Sequence, residues 1–184
     1  MPEKRIAHLI GNGPSKKFFQ NEPVGDVYGC NFGTEGIKHK GLFMHDRRPL
    51  KHMNKHDFKL SDPLIARKRY ENYLKPLLKK GLVDKNTLMW LPDGIRTRCS
   101  GNDGMIYLLG HAPENYKELH LWGFDSLTRG TVESDSKGKI DGSNPRQKML
   151  KNWLLVFAKI KKQFKGEGKS IFLHYDDIKV EKVA

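Results

Sequence analysis

The sequence predicts an α/β fold: a single Rossmann-like domain with a mostly parallel sheet flanked by helices. Three observations carry that reading. Short apolar runs alternate with helical stretches along the chain. The first run, Ile6-Ala7-His8-Leu9-Ile10, stops at Gly11-Asn12-Gly13-Pro14-Ser15. Polar residues also stand where later runs end, as they do at the carboxyl edge of an open parallel sheet. At 184 residues the chain, 1–184, fits one domain large enough to bury a core.

Taken in order, Leu9 and Ile10 read as the end of a buried strand. Gly11 and Gly13 allow positive φ or close approach of another group, and Ser15 would cap a following helix. Turns of this kind are where backbone amides of α/β proteins face a phosphate. Asp26 to Phe32 and Gly41 to Asp46 are the second and third strands, the latter followed by Arg47-Arg48-Pro49. Lys51 to Leu60 is basic and irregular and reads as an exposed loop. Asp62-Pro63 opens a helix that runs to Gly81 with Leu64, Tyr70, Leu74 and Leu77 on its apolar face and Pro76 bending it.

Thr87 to Pro92 is a fourth strand, and Asp93 to Arg98 a loop carrying two arginines. Ser100-Gly101 leads into a buried helix through Met105 to Leu109, and Glu118 to Asp125 is the fifth strand. Residues 126–143, rich in serine, glycine and charge, read as a mobile loop of lid length. Asn144-Pro145 starts a long helix with an apolar stripe of Met149, Leu150, Trp153, Leu154, Phe157, Ile160 and Phe164. Ser170 to Tyr175 is the last strand, and Trp90, Trp122 and Trp153 fall on core positions.

The formal net charge of +13 favours polyanionic company: nucleic acid, nucleotides, phosphorylated sugars or an anionic membrane surface. The cations are spread over several segments rather than gathered in a tail. No run of ~18 apolar residues is present, which argues against a membrane span. No apolar signal region precedes the first strand. Two cysteines, Cys30 and Cys99, are too few for a disulfide framework or a structural zinc site, so a cytoplasmic setting is expected.

Gly11-Asn12-Gly13-Pro14-Ser15, Cys30-Asn31, Ser100-Gly101 and Gly123-Phe124-Asp125 together resemble, in identity and order, the bacterial lipo-oligosaccharide sialyltransferase family and its wider Rossmann-like superfamily. The resemblance spans about Ile6 to Ser126. It implies that Asn12 meets the phosphate or ribose of a nucleotide, with the Gly11 and Gly13 backbones making room for it. It implies that Asn31 hydrogen-bonds the nucleotide or donor sugar, and that Ser100 and Gly101 offer donors at a helix start. Asp125 would hold the loop behind it or contact the ligand. The family's lid histidine and tyrosines have no counterpart here: between Trp122 and Phe172 there is neither residue type. Sialyl donor specificity therefore does not follow from the resemblance.

Sugar transfer needs a base for the acceptor hydroxyl and positive charge or hydrogen bonds for the departing phosphate. His45 and Asp46 are the base candidates, with a loop salt bridge from Asp46 to Arg47 or Arg48 as the plain alternative. Arg96 and Arg98 would neutralise a diphosphate, or else are solvated loop charges; an arginine also stands there in the resemblance. His111 reads as a helix cap, His120 as structural or exposed, and Asp176-Asp177 as weak ground for a metal. The expected function is a glycosyltransferase-like enzyme. It binds a CMP- or UDP-type nucleotide-sugar at the strand ends and passes the sugar to an anionic acceptor, modified DNA or a phosphorylated glycan, without an obligatory metal or other cofactor. The alternatives are a pterin-type pyrophosphokinase relative, which needs an acidic metal-binding cluster, and a non-catalytic nucleotide- or nucleic-acid-binding module.

Overall fold

The computed structural model describes residues 5–19, 23–34, 36–45, 47–97, 99–129, 145–175 and 179–184. Eight strands form one sheet: β1 (Ile6–Ile10), β2 (Asp26–Cys30), β3 (Gly41–Phe43), β4 (Leu64–Ala66), β5 (Leu88–Trp90), β6 (Glu118–Trp122), β7 (Ser170–Tyr175) and β8 (Lys179–Lys182). Their order is β5-β4-β3-β2-β1-β6-β7-β8. Neighbours are parallel except β7 and β8, which are antiparallel. The helices are α1 (Arg47–Lys55), α2 (Glu71–Lys79), α3 (Ser100–Gly110), α4 (Ser126–Arg129) and α5 (Pro145–Gly166).

The chain steps outward from β1 to β5, then returns through α3 to lay β6 on the other side of β1. The sheet therefore reverses its direction of growth between β1 and β6, and the carboxyl ends of those strands form the crevice where α/β proteins take ligands. Right-handed crossovers put α1 and α2 on one face and α3 and α5 on the other. Leu42, Met44, Leu64 and Ala66 pack on Leu50 and Met53 of α1 and on Leu74 and Leu77 of α2. On the opposite face Leu9, Phe43, Leu121 and Leu173 pack under Met105 and Leu108 of α3 and Phe157, Ile160 and Phe164 of α5.

Helix α3 is the element that sets the site. Its first half carries Gly101 and Gly104, and a glycine inside a helix costs about 1 kcal/mol relative to alanine. A Cβ on Gly104 would stand 3.1 Å from Leu9 Cδ2, and one on Gly101 would stand 2.4 Å from the Phe124 ring. Both glycines thus let α3 lie close on β1 and on the loop after β6, with its first turn buried.

Three readings of the sequence are corrected. Arg47–Lys55 is a helix, not an exposed loop; Leu50 and Met53, one turn apart, bury fully against α2, and Pro49 sits harmlessly in the first turn. The Asp62-Pro63 pair starts no helix: Leu64–Ala66 is a buried strand between β3 and β5, and the helix starts at Glu71. Of the tryptophans, Trp90 is no core residue, being 37% exposed, whereas Trp122 and Trp153 are half-buried and Trp122 packs on the Ile10, Phe19 and Val27 cluster. A further strand, β8, follows the expected last one and closes that edge of the sheet. Residues 130–143 of the expected mobile loop lie outside the described residues.

Candidate functional site

At the switch point the loops after β1 and β6 are bound to each other. Gly11 N donates to Trp122 O at 2.7 Å and Gly13 N to Gly123 O at 2.8 Å. Neither Gly11 nor Gly13 has a positive φ; Gly123 does, at +71°. What fixes them as glycine is close approach: a Cβ on Gly11 would fall 2.5 Å from Gly123 O, and one on Gly13 would fall 2.2 Å from Asp125 Oδ2. Gly33, beyond β2, is held the same way, its Cβ position 2.6 Å from Gly11 O. The exits of β1, β2 and β6 therefore stack backbone on backbone.

Asp125 and Ser15 tie this stack together. Ser15 donates to Asp125 Oδ2 from its backbone N at 3.0 Å and from its hydroxyl at 2.8 Å, while Gly123 N donates to the Ser15 hydroxyl oxygen at 3.0 Å. Both side chains are buried. Ser15 lies inside the short turn of Pro14–Phe18 rather than capping it. Asp125 thus holds the β1 loop.

Asn12 stands at the apex of the turn, its Oδ1 buried with no hydrogen-bond partner among the described residues. Asn31, after β2, adopts φ +55°, a conformation asparagine tolerates better than most side chains. The Ser100 hydroxyl, first in α3, donates to Asn31 Oδ1 at 3.4 Å and accepts from His45 N at 3.1 Å. Strand exits from β2 and β3 are thereby gathered at the amino end of α3, where the helix dipole favours an anion and the Gly101 and Asn102 amides face the Cys99 thiol.

Beneath this floor lies a charged cluster. Asp103 is wholly buried; its Oδ2 takes the His45 Nδ1–H at 2.6 Å and a hydrogen bond from the Arg67 guanidinium, which also bonds Thr97 O. Its Oδ1 accepts from Thr97 N at 2.9 Å and Thr97 Oγ1 at 2.6 Å. Burial, opposed in part by Asp103, holds the His45 imidazole below its ordinary proton affinity. His45 Nε2 lies 3.2 Å from Ile65 O, and the side chain has no exposed surface. The structure places His45, one of the two base candidates, within this buried cluster, where its backbone N bonds the Ser100 hydroxyl at the α3 entry. The sequence reading missed Arg67, Thr97 and Asp103.

Arg96 is exposed and its Nε donates to Asp93 O at 2.8 Å, within its own loop. Asp46, Arg98 and the Asp176-Asp177 pair lie outside the described residues. Burial raises the Cys30 thiol well above its usual range and the Cys99 thiol to about 11, so neither is a thiolate near neutrality. Among the described residues no group of three or more histidines, cysteines or acids could hold a metal ion, and no helix is long and apolar enough to cross a membrane. A cavity of about 340 Å³ lies between α4, α5 and the β7–β8 hairpin, lined by Leu127, Leu154, Phe157 and Tyr175 among others. His111 closes α3 through its backbone N, 2.8 Å from Tyr107 O.

Fold and site define a Rossmann-like α/β protein whose strand exits are locked around one buried helix amino end. Beyond that class, no protein-family model matches the chain, and no curated protein or solved structure matches it.

Proposed function

We propose that the chain is a glycosyltransferase-like protein that binds a nucleotide-sugar at the carboxyl ends of β1, β2 and β6. The observation that carries this reading is Asn12 Oδ1, buried and without a hydrogen-bond partner among the described residues, in the β1 loop at the switch point. An unsatisfied buried amide oxygen costs about 1–3 kcal/mol, and a ribose hydroxyl or base amine would relieve it. The phosphates would lie at the positive end of the α3 dipole, with Asn31 and Ser100 meeting the nucleotide or sugar. Transfer breaks the bond from anomeric carbon to phosphate oxygen as the acceptor oxygen attacks that carbon. Charge on the departing phosphate is then held by dipole and arginine, and by sequence position Asp46 takes the acceptor proton. The net charge of +13 favours an anionic acceptor.

A second reading, a binding module without catalysis, is favoured by one observation: His45, the expected base, is sealed against Asp103. Thermal unfolding with CMP-, UDP- and GDP-sugars tests the common part. A ligand at about 100 times its Kd adds about 2.7 kcal/mol, and for a chain of this length that is about 5–10 °C in Tm. One nucleotide class is expected to give that rise, and Asn12→Ala to abolish it. No rise with any of them, or the same rise in Asn12→Ala, ends the proposal. Release of free sugar or transfer to an acceptor separates enzyme from module.

A further inference from the structure

We propose that the basic, aromatic corner at the carboxyl ends of β4 and β5 is a docking surface for single-stranded nucleic acid. In naming the acceptor class it rests on the transfer reading, but its geometry stands apart from the nucleotide pocket. Three cation–ring pairs meet there: Lys68 Nζ over Trp90 at 4.8 Å, the Arg69 guanidinium over Tyr70 at 4.6 Å, and Lys51 Nζ over Tyr73 at 5.8 Å. Tyr70 and Tyr73 join two of these pairs, their ring centroids 6.3 Å apart.

Three features separate this corner from an ordinary solvated surface. Two of its three cations sit where local structure disfavours them: Lys68 and Arg69 immediately precede α2, at the positive end of its dipole. Helix stability does not account for them. Trp90, 37% exposed at the end of β5, the edge strand of the sheet, leaves part of a large aromatic surface open. Among the described residues Lys68 Nζ pairs with Glu71 at 3.4 Å, both side chains in contact with solvent, so the pair contributes little.

The alternation of ring and cation matches a single strand, in which bases and phosphates alternate and base faces are open to stack. A duplex keeps those faces to itself. An interfacial helix needs a continuous apolar face, which the interleaved charges interrupt here. The corner also joins the candidate site directly, since Arg67 turns inward to Asp103 while its neighbours Lys68 and Arg69 turn out.

Fluorescence anisotropy of a labelled oligothymidylate of about 12 nucleotides tests this. The full-length protein is expected to bind it with a salt-dependent affinity. Lys68→Ala with Arg69→Ala should lower the log–log salt slope by about 0.7 per lost contact. Trp90→Ala, which leaves net charge unchanged, should weaken binding by about fivefold or more, and Trp90→Phe should restore most of it. Lys159→Ala with Lys162→Ala removes the same charge from α5 on the opposite face and should change little. The proposal is overturned if Trp90→Ala binds like the wild type or if the α5 control loses as much as the Lys68/Arg69 variant. Tighter binding to the matching duplex or to phosphatidylserine vesicles overturns it as well. Asn12→Ala should bind the oligonucleotide normally, so loss of the nucleotide-sugar reading and loss of this one are seen in different measurements.

Discussion

At Gly13 a single methyl group would meet a carboxylate oxygen at 2.2 Å. Gly13→Ala is therefore expected to cost about 1–3 kcal/mol by overpacking, and so about 2–10 °C in Tm with no ligand present. A variant as stable as the wild type would show that the loops part easily and that the glycine serves the ligand instead. Ser15→Ala should cost a similar amount by stripping the hydroxyl bonds to Asp125 and Gly123. Asp103→Asn should be the most damaging of the three, about 3–5 kcal/mol, because it leaves the buried Arg67 guanidinium uncompensated; urea unfolding measures it. These residues differ in how far the sequence disclosed them. The Gly-Asn-Gly-Pro-Ser string was legible as a tight strand exit, but its glycines answer to Gly123 and Asp125, more than a hundred residues away. Arg67 and Asp103 left no local signal, since an ion pair across 36 residues has no periodicity to read.

At the scale of elements, strands with several apolar residues and helices with a sustained stripe were legible, and short elements were not. Helix α1 offers only Leu50 and Met53 among five cationic or histidine positions, and β4 is three residues placed behind a proline that mimics a helix start. Their identity comes from the sheet and from α2, which tertiary packing supplies. The β1, β6 and β7 face opposite α3 holds a feature that alternation alone did not reveal. His120 Nδ1 and His174 Nε2 are 2.7 Å apart, His120 Nε2 is 2.8 Å from Glu118, and Trp122 stacks on His174 at 3.6 Å between centroids. Trp122 Nε1–H donates to His8 Nδ1, leaving His8 Nε2–H for Val24 O. Lys182, opposite Phe172 on β8, is the cation facing this group. Burial, with His120 and His8 adding to it, lowers His174 from its ordinary 6.5 to about 4, and burial lowers His8 as well. The unfolded chain takes up protons near pH 6.5 that the folded chain refuses until about pH 4. Stability is thus complete above 6.5 and falls as pH drops through that interval. Tm measured between about pH 7 and about pH 4.5 should decline, and His174→Gln should flatten the decline; an unchanged slope in that variant would relieve the histidine group of the effect.

Outside the core, excess positive charge governs how the whole molecule responds to its solvent. Lysines and arginines number 34 against 21 acids, and two of those acids, Asp103 and Asp125, are enclosed in the switch-point framework. A domain of this length has a radius of gyration of about 16 Å, so at about 0.01 M salt, where the Debye length is about 30 Å, every cation repels every other across the fold. At about 0.1 M the length is about 10 Å and only neighbours interact. The compact state, with its charges closer together than in the open chain, gains more from that screening. Tm should therefore rise with sodium chloride over this range at about pH 7.5. The same salt should weaken the oligonucleotide complex, because counterions compete for the cations that the strand would neutralise. Opposite signs for stability and binding under one variable distinguish a surface charged for a polyanion from one whose ion pairs hold the fold. A Tm that falls with salt would assign the excess charge to local pairs and remove the electrostatic ground for a polyanionic partner.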